Sequence, residues 1–234
     1  MSLPHAPLPN LDLRRAIIDT CLAMNRLGIN QGASGNLSAR VDGGFLVTPS
    51  GMPYEETEPQ DIVEMAFDGS YAGERRPSSE WRIHRDVLAA REDAQVVLHA
   101  HPTFATVLAV HGRPIPSFHY MVALAGGDTI RCAPYATFGT QELSDHALAA
   151  LEGRRACLLA NHGMIVLGND LKGALALAVE VEALARQYVH ALMLGQPAIL
   201  PPEEIERVAE KMRSMKYGQG GGGEPDPDAP RRRA

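Results

Sequence analysis

The sequence predicts an α/β fold: a single-domain αβα sandwich with a central mixed, mostly antiparallel sheet flanked by helices. Three observations carry that expectation. Stretches with helical apolar periodicity alternate with short β-branched runs, the pattern of helices packed on a sheet. Two early runs are joined by a tight glycine-bearing connection, so neighbouring strands run antiparallel and the sheet is mixed rather than purely parallel. The length, 234 residues with 45% hydrophobic and 21% charged, suffices for one large domain with a buried core, and no compositional break precedes the C-terminus.

The elements follow in order. Leu11 to Leu27 spaces Leu13, Ile17, Leu22, Met24 and Leu27 as an amphipathic helix does, with Asp12 near its start and Gly28 past its end. After Gly32-Ala33-Ser34-Gly35 come two strand-like runs, Asn36–Val41 and Phe45–Thr48, joined through Asp42-Gly43-Gly44 as a hairpin. A second glycine loop, Pro49 to Pro53, precedes a strand over Ile62–Phe67. Ser78-Ser79 then introduce a helix to about Ala90, with either serine available as its cap. The run Gln95 to Leu98 reads as a buried strand, Pro102 to Val110 as a helix, and the segment to Pro134 is punctuated by proline and glycine. Ala156–Ala160 and Met164–Leu167 are short strands broken by Asn161-His162-Gly163. The strongest helix runs from Leu171 to Leu194, with an apolar stripe through Ala174, Ala178, Val181, Ala185 and Tyr188. We expect one domain over 1–217 and a disordered low-complexity tail over 218–234.

Composition excludes several function classes. A net charge of -6 gives no footprint for nucleic acid. The most apolar helical segment is interrupted by Glu180, Glu182, Arg186 and His190, so no membrane span is expected. The amino terminus lacks the basic start and apolar stretch of a secretory signal. Cys21, Cys132 and Cys157 are odd in number and form no Cys-x-x-Cys pair. They suit a cytoplasmic protein and are expected to be plain core residues.

The chemistry concentrates on His99 and His101. Side chains at i and i+2 of a strand leave from one face, so both imidazoles can grip one ion. A tetrahedral catalytic site needs a third ligand and an open position. His162, between two strand-like runs, is the best candidate for it. Glu80 follows Pro77-Ser78-Ser79 in the first turn of a helix, where a carboxylate suits the helix dipole. It gains a chemical role if the fold brings it beside His99. Gly32 to Asn36, Thr48 to Gly51 and Ser78-Ser79 offer small residues, backbone N–H groups and hydroxyls that can converge on a phosphate. None of these is a Walker motif or a dinucleotide fingerprint.

Taken together, these segments resemble the class II aldolase and epimerase (adducin-like) family, and in particular its fuculose-phosphate aldolase branch. The resemblance runs from Gly28-Ile-Asn-Gln-Gly-Ala-Ser-Gly-Asn-Leu-Ser through Thr48-Pro-Ser-Gly-Met-Pro-Tyr, Pro77-Ser-Ser-Glu-Trp-Arg, His99-Ala-His, His119-Tyr-Met, Cys132-Ala-Pro-Tyr-Ala-Thr-Phe-Gly-Thr and Asn161-His-Gly. It fades after Tyr217.

The resemblance implies that His99, His101 and His162 hold a divalent ion. Zinc is usual, with Mn2+, Co2+ or Mg2+ as alternatives. Glu80 is implied as a further ligand in the empty site and as the proton-transfer group in turnover. Asn36, Ser50, Gly51, Ser78 and Ser79 fall on phosphate-binding positions, Phe138 on an aromatic wall, and Tyr217 on a mobile tail. Tyr120 matches a tyrosine that reaches a neighbouring subunit's site in a homotetramer. Ala33 departs from the pattern, standing where a threonine hydroxyl is expected, so Ser34 is left to take over that contact.

The implied reaction is reversible cleavage of a ketose 1-phosphate between C3 and C4, giving dihydroxyacetone phosphate and a small aldehyde such as L-lactaldehyde. No Schiff-base lysine is needed, and only Lys172, Lys211 and Lys216 occur. L-Fuculose 1-phosphate is the first substrate expectation and 5-methylthioribulose 1-phosphate, or another 5-modified ketose 1-phosphate, the second. A pentulose-5-phosphate 4-epimerase ranks below both. It should carry Asp at the place of Glu80, and a further Asp in the segment 117–127, which here has no carboxylate. A non-catalytic adducin-like domain ranks last, because the three histidines and Glu80 are intact.

Overall fold

The structure, a computed structural model, describes residues 8–215, so Tyr217 and the 218–234 tail lie outside it. Among the described residues, six α-helices and nine strands make the predicted sandwich. The helices are α1 (Leu11–Arg26), α2 (Trp81–Ala90), α3 (Thr103–Val110), α4 (Gln141–Ala150), α5 (Leu171–Leu194) and α6 (Pro202–Ser214). The strands are β1 (Asn36–Val41), β2 (Gly44–Val47), β3 (Val63–Ala66), β4 (Tyr71–Ala72), β5 (Val96–Ala100), β6 (Ile115–Pro116), β7 (Thr129–Ala133), β8 (Ala156–Leu159) and β9 (Gly163–Gly168). They form one sheet in the order β4-β3-β2-β1-β5-β9-β8-β7-β6. Only the β7/β8 pair is parallel, and the other described pairs are antiparallel.

Helices cover both faces. Leu37, Leu98 and Val166 pack against α1, α3 and α5 on one side, where Ile17, Ala105, Ala178 and Val181 meet them. Val97, Ile165 and Leu167 face the other side, against Ile83, Val87 and Leu88 of α2 and Leu143 and Ala147 of α4. β5, β8 and β9 are buried along their whole length. That double burial is why they read as unbroken apolar runs rather than alternating ones. Alternation along β5 then puts Val97 and His99 on the α2 side.

Helix α5 has the predicted bounds, and the Asp170 carboxylate caps it by accepting the Gly173 amide at 2.6 Å. One α5 side chain also starts a neighbouring helix. Pro102, at the N-cap of α3, has no side-chain acceptor, and Glu182 of α5 accepts the amides of Phe104 and Ala105, both at 2.8 Å. No helix among the described residues is long and apolar enough to cross a membrane.

Five elements escaped the periodicity: the two-residue strands β4 and β6, and β7, α4 and α6. Two local expectations are corrected. Glu80 itself occupies the N-cap position of α2, and neither Ser78 nor Ser79 caps the helix with its side chain. The Ser78 hydroxyl instead accepts the Glu80 amide at 3.2 Å. Cys21 and Cys157 are core residues, but Cys132 is only half-buried because β7 lies next to the sheet edge.

Candidate active site

The site forms at the ends of β5 and β9. His99 is the fourth residue of β5 and fully buried, while His101 lies one residue past the strand. His162 sits in the turn from β8 to β9. Asn161 before it takes a left-handed conformation at φ +54, which asparagine tolerates better than most residues. Gly163 after it is required by contact, since a Cβ there would lie 2.5 Å from the Ala100 carbonyl and 2.6 Å from His101 Cδ2. β9 can therefore approach β5 closely enough to set His162 beside the pair.

The ligand nitrogens of the three rings lie within 4.8 Å of one another. His99 Nε2 and His101 Nε2 are 2.9 Å apart. His99 Nδ1 donates to the Met164 carbonyl at 2.9 Å, which fixes the tautomer that leaves Nε2 for an ion. Glu80 enters from α2: its Oε2 is 3.0 Å from His99 Nε2, and its Oε1 is 3.4 Å from His162 Nε2. Glu80 is buried, yet Oε1 has no hydrogen-bond partner. A buried carboxylate oxygen left unpaired beside three imidazoles is what a divalent cation would satisfy. The donor set therefore fits the implied metal.

The electrostatics agree. Burial would raise the Glu80 pKa, but the charge of His99, its hydrogen bond, His162 and Asn36 outweigh burial and hold the carboxyl well below the usual range. Burial and the charge of His99 push His101 down to about 3 and His162 to about 4, so both are bare nitrogens at neutral pH. Burial alone would lower His99 as well, but the Glu80 carboxylate raises it.

A cleft of about 460 Å³ opens beside this group, lined by His101, His162, Glu80, Asn36, Ser50, Gly51, Ser78, Ser79 and Phe138 among others. The two hydroxyl loops are tied together. Pro49 and Pro77 form an antiparallel bridge, the Ser50 amide donates to the Arg76 carbonyl at 3.0 Å, and the Ser78 amide donates to the Thr48 carbonyl at 3.0 Å. These two amides are thus spent on the scaffold, and Ser50 and Ser78 reach the cleft with hydroxyls rather than backbone N–H groups. Ala33 and Ser34 also line it, with the Ser34 hydroxyl bonded to Asn30 Oδ1 and the Gln31 carbonyl.

Tyr120 does not line the cleft. It is half-exposed on a 3-10 turn over Tyr120–Ala125, stacked on His119 with ring centres 4.8 Å apart. Sequence reading did not single out Tyr135 and Asn161, which both line the cleft, or Ser38 and His84 behind it. Tyr135 carried a signal, lying three residues before Phe138 in the same segment. Asn161 stood in the Asn161-His-Gly motif without being given a role, and His84 carried no signal that distinguishes it from a core histidine.

Known proteins with this sequence pattern and geometry point one way. The family model described as Class II Aldolase and Adducin N-terminal domain matches residues 15–189. The 5-methylthioribulose-1-phosphate/5-deoxyribulose-1-phosphate aldolase of Rhodospirillum rubrum is 55% identical over 212 residues, covering 91% of this chain and 95% of that protein. The L-fuculose phosphate aldolase of Escherichia coli K12 is 48% identical over 207 residues, covering 88% and 95%. A solved L-fuculose 1-phosphate aldolase superposes with a TM-score of 0.84 at 41% identity, covering 86% of this chain and 96% of its own. With the fold, the histidine cluster and these relatives in agreement, the chain belongs to the class II aldolase and adducin family.

Proposed function

We propose that this chain is a divalent-metal-dependent aldolase that reversibly cleaves a ketose 1-phosphate to dihydroxyacetone phosphate and a small aldehyde. The observation that carries the reading is the convergence of three imidazoles on a buried carboxylate with one unpaired oxygen, in the same cleft as the loop hydroxyls. His99, His101 and His162, with Glu80, would hold the ion, zinc first. When bound, it supplies a Lewis acid that stabilises negative charge developing on substrate oxygens.

The chain's own residues do the rest. Asn36, Ser50, Gly51, Ser78 and Ser79 grip the phosphate and fix the register of the sugar chain. As the C3–C4 bond breaks, its electron pair stays on C3 and the C4 hydroxyl loses its proton, leaving the aldehyde. Tyr120 from a neighbouring copy in a homotetramer assists that proton loss, in keeping with its position outside its own cleft. Glu80, a carboxylate at rest, takes up the proton released from the C4 hydroxyl and delivers it to C3.

We assign 5-methylthioribulose 1-phosphate and 5-deoxyribulose 1-phosphate as the first substrates. The 55% identity to an aldolase named for both supports them, and the aromatic walls Tyr135 and Phe138, 60% and 64% exposed, suit an apolar aldehyde end. L-Fuculose 1-phosphate is the second reading, supported by the 48% relative and the solved neighbour. The three free cysteines suit a cytoplasmic setting. A panel of ketose 1-phosphates, assayed for dihydroxyacetone phosphate release with metal-loaded protein, tests both levels. Preference for fuculose phosphate would reverse the substrate order. No cleavage of any member, or activity untouched by chelators, would overturn the metal-dependent aldolase reading.

A further inference from the structure

Behind Glu80 runs a buried chain of hydrogen bonds whose polarity is forced from end to end. An ionised carboxylate only accepts. Asn36 stands 3.0 Å from Glu80 Oε2, so the atom it presents there is the amide nitrogen. Its oxygen then faces His84 Nε2, 2.5 Å away, and that nitrogen must carry a hydrogen. His84 is fully buried, and both its ring nitrogens meet uncharged partners, so it is neutral and has one N–H to give. Its Nδ1 is therefore bare and accepts from the Ser38 hydroxyl at 2.7 Å. Ser38 and His84 are both 0% exposed, and Asn36 and Glu80 are both 5% exposed, so water does not substitute for any link.

We infer that Ser38 and His84 are positioning residues that act through Asn36 to hold Glu80 Oε2, leaving Oε1 as the oxygen that carries the proton. The inference rests on the reading of Glu80 as the proton-transfer group. Oε2 is engaged by Asn36 and lies 3.0 Å from His99, while Oε1 has no hydrogen-bond partner. Without the His84 donor the Asn36 amide is free to turn over, and its oxygen would then meet Oε2 as acceptor against acceptor. Asn36 keeps its second amide hydrogen, so the phosphate contact assigned to it survives the relay.

The test uses the full-length, metal-loaded protein and three variants. In His84→Phe and Ser38→Ala, kcat should fall on the order of 10- to 100-fold, the loss of one charge-assisted hydrogen bond. Metal content should stay at the wild-type value, and KM should rise by less than kcat falls, because Asn36 is one of several phosphate contacts. His84→Gln, which restores a donor toward Asn36, should recover most of kcat. Equal losses in His84→Phe and His84→Gln, or metal lost together with kcat, would mean that His84 only fills space and would overturn the relay. Should His84→Phe not fold, Ser38→Ala and a spectroscopic readout decide. The side-chain 15N spectrum of histidine-labelled wild type should show His84 as the Nε2–H tautomer, and an Nδ1–H tautomer or a cation would overturn the inference. Wild-type turnover separates the two claims: an inactive wild type overturns the aldolase reading, whereas an active one with an Nδ1–H His84 overturns the relay.

Discussion

Replacing Glu80 by glutamine isolates proton transfer from architecture. The carboxamide keeps the side-chain volume. With its oxygen at the Oε2 position it still accepts from Asn36 Nδ2, now 3.0 Å from Oε2, and its NH2 group falls where Oε1 has no hydrogen-bond partner to lose. What disappears from that bond is the charge-assisted share, about 1 kcal/mol, the difference between a neutral and a charged hydrogen bond. A domain with a typical stability of about 5–15 kcal/mol survives that loss. The chemical loss is larger. Removing a general acid/base costs about 10²- to 10⁴-fold, or roughly 3 to 5 kcal/mol in the barrier. Turnover should therefore fall by at least about 10²-fold in a variant that stays folded and keeps its metal on the three imidazoles. The assay is dihydroxyacetone phosphate release beside metal content and a thermal melt. A variant that retains more than about a tenth of wild-type kcat would refute the proton-transfer role, because so small a loss lies below the range for a general acid/base. One that loses its metal would show that the Glu80 carboxylate, and not the three imidazoles alone, is needed to hold the ion.

Other perturbations address the remaining parts of the site. His99→Ala should abolish metal binding, and full stoichiometry by elemental analysis would contradict the ligand assignment. With His101 at about 3 and His162 at about 4 already bare, and His99 raised by Glu80, metal uptake must displace the His99 proton. Metal affinity should climb about tenfold per pH unit from pH 5 up to the raised His99 value and flatten above it. Calorimetry in buffers of different ionisation enthalpy should find about one proton released per ion at pH 6, and no release would exclude this charge state. Tyr120→Phe should lower turnover more than affinity for a phosphate-bearing inhibitor, and equal losses would place the tyrosine elsewhere. Gly163→Ala would set a Cβ 2.5 Å from the Ala100 carbonyl and 2.6 Å from His101 Cδ2. Overpacking of about 1–3 kcal/mol and weakened metal binding should appear together, and unchanged metal affinity would show that the β5–β9 approach does not set the site.

Legibility in the sequence followed locality. His99 and His101 were legible because strand alternation is a local rule, and α5 because seven buried positions repeat along its face. Helix α6 buries only Ile205, so its charged residues masked a helix that Pro202 and its acidic first turn do announce. Helix α4 buries small residues, Ser144, Ala147 and Ala150, beside a single leucine. Its Thr140 cap is nevertheless present, accepting the Leu143 amide at 3.2 Å. Strand β7 takes its place through a parallel pairing with β8, and no adjacent-run rule reveals a partner that distant in sequence. The same limit hid His84. Its significance depends on α2 lying across β1, where Ser38 and Asn36 are two residues apart on one face, and a buried histidine on an amphipathic helix looks the same with or without such partners.

The placement of the ligands on β5 and at the head of β9 bears on how this scaffold can diversify. Strands buried on both faces and paired on both edges open only when most of the domain does, so their amides should be among the slowest to exchange. The geometry of the three imidazoles is thus inherited from global stability. Tyr135 and Phe138, by contrast, sit 60% and 64% exposed on a loop, in the class of segment that opens at little cost and tolerates replacement. Drift in that loop can exchange one aldehyde for another while the carbon–carbon chemistry stays under the protection of the whole fold.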